Sequence, residues 1–594
     1  MPPLLKVPDA RSPGAALPRR ARSGGTVFRG LCIAVASLTG ALAFWRDMVR
    51  DWDRTEMLGT DWFLFRHQWE AAYVAVTRYS EIPLWDPWKC GGIFLLGDPV
   101  AQIYSPLFLL AFLLGTVSAL KLTIVLNTAA GIAGMYLCCR RLLGVGWEGA
   151  ALGAVVFGAS SFFSLHVLAG HPCFLPYYLL PWLLMAWRAA IDEVKWAAAI
   201  AMVLTMTIAE GGAYPLAHLW LVLILDGVTL ATDLRRLRGV VVAWLVSGVL
   251  FALVGAFRLL PILETVGRFP RPTDDLDAAT LMQVYSNLTE RASTLVPSGR
   301  YPLGEYGGFI GPWGVLIGGL GLLLALRGRR WVVVGATFFL LLTLGDFSRF
   351  APWSLLHMLP GFGSMRVPSR FIILLTFYLA LAAGLALDRA VAVGRALLRS
   401  RVVPSVLALL VVGGIACQMG SEDVIGEVHY EPIHPQATEE PEFYLVPAPG
   451  PDESAFLEEG IHFPARGVGQ VACVAGTPYY PAPGLWTGPG PQVRVESGRL
   501  NAFSMTANTA TADVTLASEG DLTFNRTWAP DWVSNVGRVE ADALGRVVVR
   551  GVPAGSSQVR ISYAPRELMP GLLLSVLGVA GCVALWAGGA GARR

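Results

Sequence analysis

The sequence is poor in charged residues and in cysteine. Asp, Glu, Lys and Arg make up 15% of its 594 residues, whereas soluble domains contain about 25%, so the composition argues against a cytosolic enzyme. The eight cysteines include no C-x-x-C pair, which leaves zinc-finger or thioredoxin-type chemistry without support. Because 54% of the residues are apolar and the glycines have no fixed period, a disordered or collagen-like chain is excluded too.

Long apolar runs are present instead. They reach the length of about twenty residues that crosses a bilayer core, so they predict a polytopic α-helical membrane protein. The first run ends in Trp45 and Arg46 rather than in small residues, which favours a retained helix over a cleaved signal peptide. The predicted spans lie near 28–44, 121–139, 148–165, 172–190, 195–209, 213–231, 239–262, 311–327, 330–346, 369–388, 402–418 and 566–588.

Basic residues give these spans an orientation. Clusters such as Arg140-Arg141 and Arg235-Arg236 follow alternate spans, and loops rich in Lys and Arg face the cytoplasm. All of these basic clusters, together with the basic N-terminal tail, face the cytoplasm only if segment 104–120 does not fully cross the membrane. We therefore expect about twelve spans, a re-entrant or interfacial segment at 104–120, and both termini in the cytoplasm.

The chain divides into four predicted regions. They are a disordered basic cytoplasmic tail (1–26), a multi-span domain with outer loop 46–103 (27–418), an extracytoplasmic β-rich domain (419–565), and a final helix with a short basic tail (566–594). Segments such as 512–516 and 558–563 alternate apolar and polar residues, as half-buried strands do. We expect a β-sandwich-like domain before the last helix.

Outer loop 46–103 is too long to be a simple connector. Aromatic residues from Trp62 to Tyr73 recur at helical spacing, which predicts an amphipathic helix in the membrane interface with its aromatic face among lipid headgroups. A rigid stretch rich in Pro, Gly and Trp follows and contains Asp86. Asp61 precedes the helix, where it is either a helix cap or a general base or metal ligand.

Further polar residues stand at the outer ends of predicted spans. His171 is either a packed imidazole or a ligand of the site, and Glu210 is a carboxylate at membrane depth, where ionisable groups usually face a polar cavity. Arg366 and Arg370 are four residues apart, so on a helix they would face the same anion; the alternative is contact with headgroup phosphates. Glu305 either lines the acceptor side or belongs to an ordinary loop.

Three cysteines, Cys90, Cys173 and Cys473, lie outside the membrane in this topology. An oxidising compartment permits disulfides there, but the sequence does not determine which cysteines pair.

Several segments together resemble the YfhO-like bacterial integral membrane proteins. They are an Asp in the first outer loop, "PLWDPWKCGG", "GDP" and "YSPLFLL", then "LPGFGSMRVPSRF", and finally "LTFNRTWAPDWVSNVG" with "VRISYAPRELMPGLLLSVLG" before the last span. The resemblance covers most of the chain from Asp61 to Gly578.

That resemblance implies a fold and an activity. YfhO-like proteins are grouped with the GT-C glycosyltransferases, so it implies a multi-span GT-C-like fold, a polyprenyl-phosphate-linked sugar donor, and Asp61 at the catalytic position. Unlike the simplest GT-C pattern, no D-x-D or E-x-D pair adjoins Asp61; Asp51 and Asp53 form a D-x-D just after the first span.

The leading hypothesis is a glycosyltransferase of the cytoplasmic (inner) membrane of a bacterium. It would transfer a sugar from a polyprenyl-phosphate donor to an extracytoplasmic glycan, lipid or protein acceptor, with no nucleic-acid partner. Asp61 would be the general base, while Arg366, Arg370 and His171 would bind the donor phosphate.

Some assignments stay open at this stage. Asp86, Glu210 and Glu305 are candidates for the substrate pocket. A divalent cation, Mg²⁺ or Mn²⁺, is an open cofactor with no assigned ligands. Two other functions compete with the transferase: a transporter or flippase for a lipid-linked glycan, and a non-enzymatic membrane scaffold of the cell envelope.

Overall fold

The computed structural model describes residues 23–50, 52, 55–57, 61–271, 273, 277–291, 301, 303–420, 430–432, 439–447, 459–473 and 478–591. The D-x-D residues Asp51 and Asp53, and nearly all of the predicted tail 1–26, lie outside these residues.

The described chain is mainly helical, with its longer strands near the C-terminus. In chain order the α-helices are α1 (Ser23–Phe44), α2 (Arg46–Arg50), α3 (Trp62–Tyr79), α4 (Ala111–Leu114), α5 (Thr116–Cys138), α6 (Trp147–Gly158), α7 (Ser161–Leu168), α8 (Leu180–Asp192), α9 (Ala197–Ala209), α10 (Ala213–Leu230), α11 (Leu234–Val254), α12 (Ala256–Arg268), α13 (Leu281–Thr289), α14 (Gly311–Ala325), α15 (Arg330–Thr343), α16 (Pro352–His357), α17 (Ile372–Leu398), α18 (Val402–Gly420), α19 (Phe463–Arg466) and α20 (Leu568–Gly591). The strands are β1 (Thr55–Met57), β2 (Trp85–Asp86), β3 (Ile93–Phe94), β4 (Tyr430–Pro432), β5 (Leu445–Val446), β6 (Gly469–Gln470), β7 (Val493–Val495), β8 (Gly498–Met505), β9 (Thr509–Leu516), β10 (Gly520–Thr527), β11 (Trp532–Ser534), β12 (Arg538–Ala541), β13 (Arg546–Val552) and β14 (Gly555–Tyr563).

Many of the helices suit a membrane. Within the described residues, eight helical stretches are long and apolar enough to cross a bilayer, and three shorter apolar helices accompany them. The eight are Val27–Phe44, Thr116–Leu143, Trp147–Leu168, Ala213–Leu230, Leu234–Val254, Pro368–Leu398, Val402–Gly420 and Leu568–Gly588. The chain is therefore a multi-pass helical membrane protein, while the number of twelve crossings stays a prediction.

Two predicted spans are not single α-helices. Region 172–190 consists of a 3-10 helix, Pro172–Leu179, followed by α8. Pro176 lies inside the 3-10 helix, and a proline that lacks an amide hydrogen cannot continue an α-helical ladder. Region 239–262 is divided between α11 and α12, which meet at Gly255.

Segment 104–120 contains no single long helix. A 3-10 helix, Pro106–Leu110, is capped by the Ser105 hydroxyl, which accepts a hydrogen bond from the amide of Leu107 at 3.2 Å. One turn of α4 follows and ends at Gly115, whose φ of 78° breaks the helix before α5 begins. α5 begins at Thr116, inside this segment, and the re-entrant or interfacial placement of the segment stays a prediction.

Helix α17 is the centre of the membrane part. Every residue from Ile372 to Gly384 is buried, and α6, α14 and α15 pack around it. Glycine permits the closest approach: a Cβ atom on Gly321 of α14 would lie only 1.9 Å from the carbonyl oxygen of Ala382. This packing holds the N-terminal end of α17, directly after Arg370, in a defined place.

The predicted β-sandwich-like domain before the last helix is confirmed. One four-stranded sheet has the order β12-β13-β10-β7 and the other β11-β14-β9-β8, and all of their described pairings are antiparallel. A common apolar core, with Phe524 and Val559 among its members, lies between them. The boundary at residue 419 stays a prediction, because these eight strands lie between Val493 and Tyr563.

Outer loop 46–103 is part of the same core. Trp85 and Cys90 are fully buried among the β-domain residues, and the side chain of Asn508 accepts hydrogen bonds from the backbone amides of Leu84 and Trp85. A disulfide joins Cys90 to Cys473, which answers the open question of pairing. Cys173 is a buried free thiol.

Helix α3 forms as predicted, but its predicted place among lipid headgroups is wrong. Trp62, Phe65 and Trp69 are each no more than 2% exposed and belong to the main apolar core. Trp69 packs edge-on against Phe108, with ring centroids 5.1 Å apart. The sequence-level amphipathicity is real, but other parts of the protein cover the aromatic face instead of lipid.

Candidate active site

Asp61 stands at the N-cap position of α3, but its side chain makes no capping hydrogen bond. Instead its Oδ2 atom accepts a hydrogen bond from His171 Nε2 at 2.9 Å. Trp62 fixes this end of α3 by donating from Nε1 to the carbonyl of Val167 at 2.7 Å. The capping explanation for Asp61 is therefore wrong, and the residue belongs to a side-chain network.

Gly170 makes this arrangement possible. Its φ is +73°, and a Cβ atom there would lie 2.4 Å from the backbone nitrogen of Trp62. Only glycine combines that left-handed conformation with so close a backbone contact. The turn brings His171 directly against Asp61.

His171 extends the network to a second histidine. With Asp61 ionised, the carboxylate only accepts, so His171 Nε2 carries a hydrogen. His171 Nδ1 lies 3.2 Å from His166 Nδ1, so a hydrogen bond links the two rings. His166 is buried, and its Nε2 atom has no hydrogen-bond partner in the described structure.

Glu305 and Arg370 form a buried, bidentate ion pair beside these histidines. Arg370 Nε donates to Glu305 Oε2 at 2.7 Å and Nη2 donates to Oε1 at 2.5 Å. Burial alone would raise the pKa of Glu305, but the charge of Arg370, aided by His166 and His171, lowers that pKa to about 2. Glu305 is therefore ionised near neutral pH and cannot serve as a general acid.

Two aromatic rings enclose the Arg370 guanidinium. Its central carbon lies 4.8 Å from the ring centroid of Phe174 and 4.6 Å from that of Tyr214. Such cation–π contacts, together with Glu305, hold the guanidinium in one orientation. Its charge is already balanced by Glu305, so Arg370 is less free to bind a phosphate than the sequence suggests.

Arg366 and Arg370 are not one helical turn apart, so that prediction is wrong. Between them, Val367 has a φ of 67°, which is not a helical conformation. Arg370 lies in the 3-10 helix Pro368–Phe371, which follows. Arg366 nevertheless stays in the same neighbourhood, because its backbone amide donates to the hydroxyl of Tyr214 at 3.3 Å.

Arg271 is a third guanidinium near Tyr214, and the sequence reading missed it. Burial lowers the pKa of Arg271, and the positive charges of Arg366 and Arg370 lower it further. Thr273 holds this segment against residue 365, with its hydroxyl 3.4 Å from the Met365 carbonyl oxygen. Within the described residues no carboxylate forms an ion pair with the guanidinium of Arg271 or of Arg366; the nearby Asp274 and Asp275 lie outside those residues.

Two predicted pocket residues belong to other clusters. Asp86 Oδ2 lies 2.8 Å from His67 Nε2, and His67 Nδ1 lies 2.8 Å from the Gly460 carbonyl, all of it buried. Glu210 accepts from Asn127 Nδ2 at 3.2 Å. The structure thus brings Asp61, His171, Glu305 and Arg370 together as two neighbouring groups, Asp61–His171 and Glu305–Arg370, and leaves Asp86 and Glu210 outside both.

The only signal in the sequence for His166 was its place five residues before His171 at the end of a span. Arg271 stands between two prolines in "RFPRP", a pattern that carries no specific indication of a site. His166 joins the site through its neighbour His171 in the same turn, whereas Arg271 joins it through contacts between distant segments, which a single sequence does not reveal.

Ligand atoms of His166, His171 and Glu305 lie within 4.8 Å of one another, the spacing of a metal site. As arranged, however, both oxygens of Glu305 bond to Arg370 and both ring nitrogens of His171 are hydrogen-bonded. Among these ligand atoms, His166 Nε2 alone has no hydrogen-bond partner within the described residues, so this donor set does not fit a cation without rearrangement.

Comparison with known proteins gives only distant likenesses. No protein-family profile matches the sequence, and no curated protein matches it. Among solved structures, arabinofuranosyltransferase AftD from Mycobacteria is 18% identical over 68% of this chain and 27% of its own, with a TM-score of 0.43. This chain thus spans about a quarter of the length of AftD.

Two other solved structures show similar levels of likeness. ArnT from Cupriavidus metallidurans bound to undecaprenyl phosphate is 14% identical over 75% of this chain and 77% of its own, with a TM-score of 0.36. The Archaeoglobus fulgidus oligosaccharyltransferase in the apo form is 13% identical over 76% of this chain and 65% of its own, with a TM-score of 0.41.

At TM-scores below 0.5 these likenesses determine neither the reaction nor the fold family of this chain. Its own structure defines a multi-pass helical membrane protein with a β-sandwich before the last helix. Membership of the YfhO-like proteins, and with it the GT-C assignment, stays an expectation from the sequence.

Proposed function

We propose that this protein is a membrane glycosyltransferase of GT-C type that uses a polyprenyl-phosphate-linked sugar as its donor. The acceptor is a hydroxyl-bearing glycan, lipid or protein outside the cytoplasmic membrane. The observation that carries the proposal is the hydrogen-bonded series Asp61–His171–His166 in the neighbourhood of the arginines Arg271, Arg366 and Arg370.

Asp61 is the general base of the proposed reaction. Its side chain is 47% exposed, so an acceptor reaches it from solvent, and the bond from His171 leaves the Oδ1 atom available. A carboxylate held in one orientation is suited to take the proton of an attacking hydroxyl. His171, held in turn by His166, fixes that orientation.

The donor phosphate binds to Arg366 and Arg271. The charges of the two guanidiniums act on each other, Arg271 lies near Tyr214, and the Tyr214 hydroxyl accepts a hydrogen bond from the backbone amide of Arg366. Within the described residues no carboxylate forms an ion pair with either guanidinium. Guanidinium groups form strong charge-assisted hydrogen bonds to phosphate oxygens. Arg370, already paired with Glu305, supports the wall of this site through its contacts with Phe174 and Tyr214.

The proposed step is a displacement at the anomeric carbon. The acceptor oxygen forms a bond to that carbon while its proton passes to Asp61. The bond from the carbon to the phosphate oxygen breaks, and its electron pair leaves with the polyprenyl phosphate. Because negative charge grows on the phosphate, the preorganised guanidiniums of Arg366 and Arg271 lower the barrier. No step requires a metal ion.

The two rival functions gain no support from the described contacts. The scaffold hypothesis requires the polar residues to be far apart, whereas Asp61, His171 and His166 are directly hydrogen-bonded. A transporter would favour charges near the membrane midplane. The ion pairs Arg188–Asp226 and Arg395–Glu148 lie towards helix ends instead.

The test follows release of free polyprenyl phosphate by mass spectrometry. Purified protein in lipid is incubated with a panel of polyprenyl-phosphate sugars and candidate acceptors. We expect Asp61→Asn to fold normally but to lower release by roughly 100-fold or more, a usual contribution of a general base.

The matched control is Asp47→Asn. This acid lies in α2, just after α1, is exposed, and within the described residues forms an ion pair with Arg46. Its loss should leave the release rate unchanged. Wild-type release by the Asp61→Asn protein would refute the role of Asp61.

A further inference from the structure

A second group of carboxylates lies where the β-sandwich meets the membrane helices. Glu264 belongs to α12, Asp531 precedes β11, and Glu567 precedes α20. One oxygen of each residue lies within 4.8 Å of the others. We call these three residues the seam site; none of them belongs to the candidate active site.

Two oxygens of the seam site have no hydrogen-bond partner although they are buried. They are Asp531 Oδ1 and Glu567 Oε2. Asp531 as a whole is 5% exposed, so water does not compensate for the missing bonds. A buried carboxylate oxygen without a partner is costly, and it indicates that something else satisfies it.

Arg268 satisfies only part of the group. It forms an ion pair with Glu264 one helical turn earlier, and its Nη1 lies 3.8 Å from Asp531 Oδ2. Burial raises the pKa of Asp531; Arg268 opposes the rise, and the neighbouring charge of Glu567 adds to it. Arg566 is the other cation near Asp531, and its backbone amide donates a hydrogen bond to the Asp531 carboxylate. Within the described residues, three carboxylates thus face two arginines.

The acids line a small cavity of about 20 Å³. That volume is enough for a single water-sized species, which needs roughly 10–15 Å³. Thr265, Pro530 and Tyr563 also line it. The cavity therefore has the size, as well as the charge, for one bound cation.

We propose that the seam site binds one Ca²⁺ ion. Carboxylate oxygens are hard ligands, which Ca²⁺ and Mg²⁺ prefer, and the site offers no nitrogen or sulfur donor for a softer metal. Mg²⁺ demands near-ideal octahedral geometry and keeps several of its waters when it binds. Ca²⁺ takes irregular sets of carboxylates and therefore suits the site better.

The bound ion ties three separate segments together. α12 is continuous with the membrane helices, Asp531 belongs to the β-sandwich, and Glu567 begins the last span. Stacking of Phe269 on Phe94 continues the same junction. Ca²⁺ at the seam site thus fastens the β-sandwich, and with it outer loop 46–103, to the membrane domain.

Terbium luminescence tests the proposal on the full-length protein in detergent. Tb³⁺ substitutes for Ca²⁺ and is sensitised by a nearby tyrosine, here Tyr563. After treatment with EGTA, we expect Tb³⁺ luminescence that Ca²⁺ competes away with a Kd on the order of 0.1–1 mM, as in extracellular calcium modules. Addition of Ca²⁺ should also raise the melting temperature.

Variants assign the binding to the seam site. Glu567→Gln and Asp531→Asn should each weaken Ca²⁺ competition by about 10-fold or more. Asp521→Asn is the matched control, because this acid of the same domain pairs with Arg550 away from the seam. His171→Asn is the control for binding in the candidate active site; neither control should alter the affinity.

Folding and binding are separated by melting without the ion. A seam variant that folds but does not bind the ion should melt at the same temperature as the EGTA-treated wild type. A misfolded variant should melt at a lower temperature. If Asp531→Asn or Glu567→Gln misfolds, Glu264→Gln is tested in its place. Absence of competed luminescence in the wild type overturns the proposal. So does unchanged Ca²⁺ affinity in the folded seam variants, or its loss in His171→Asn.

Discussion

At the scale of single residues, the candidate site depends on which partner each charged group has. Asp61 bonds to His171 rather than capping α3, which leaves one carboxylate oxygen for a substrate. Glu305 takes the charge of Arg370, so the anion-binding role passes to Arg366 and Arg271. Residue types at span ends allowed a prediction of Asp61, His171 and Arg370, but pairings inside the protein decide what each one does.

The first residue-scale prediction concerns His171. We expect His171→Asn to lower kcat by about 10-fold or more, less than removal of the base itself, because Asp61 loses its orienting partner. The donor KM should change little, since the phosphate contacts lie on other residues. Steady-state kinetics in lipid measures both constants, and an unchanged kcat would contradict the role of His171.

The second residue-scale prediction concerns the donor phosphate. Arg366→Gln should raise the donor KM by about 10-fold, the equivalent of one charge-assisted hydrogen bond, and Arg271→Gln should do the same. Arg349→Gln is the control, because this exposed arginine only stacks on Phe350. Equal donor KM values in all three variants would show that Arg366 and Arg271 do not bind the donor phosphate.

At the scale of elements, outer loop 46–103 belongs to two parts of the protein at once. α3 lies in the membrane-domain core, whereas Trp85 and Cys90 lie in the β-domain core. The periodicity of α3 predicted its helix and its apolar face correctly. It could not predict what covers that face, because protein and headgroups select the same aromatic residues.

The element-scale prediction concerns the disulfide. The Cys90→Ser, Cys473→Ser double variant should lose about 2–5 kcal/mol of stability, as is usual when a native disulfide is removed. The bond joins residues 383 positions apart and anchors the loop to the β-domain. Thermal melting measures the loss against Cys417→Ser, which removes an exposed free thiol. Equal melting temperatures of the double variant and of Cys417→Ser would show that the disulfide does not contribute to stability.

At the scale of the whole molecule, the broad architecture was predictable and the assembly of the site was not. Apolar run lengths and strand alternation are local signals, and they predicted the helical membrane part and the β-sandwich correctly. The site combines residues 61, 166, 171, 305 and 370 from four separate segments. His166 enters it through His171 in the same turn, whereas Arg271 enters it through long-range packing, which leaves no local pattern in one sequence.

The helical interior explains why those segments meet. The enclosed helix α17 fixes the position of Arg370 at its start, and Gly170 lets the turn before His171 touch the beginning of α3. Both depend on close backbone approach between distant elements. The proposed active site thus depends on the assembled molecule rather than on any single loop.

The role of Asp61 as the general base is tested by measuring two quantities on the same Asp61→Asn preparation: its affinity for the donor and its single-turnover rate of polyprenyl phosphate release. We predict an unchanged donor Kd together with a release rate lower by about 100-fold or more, because Asp61 acts on the acceptor proton in the transition state. A release rate equal to that of the wild type, or a loss confined to donor binding, would contradict Asp61 as the general base.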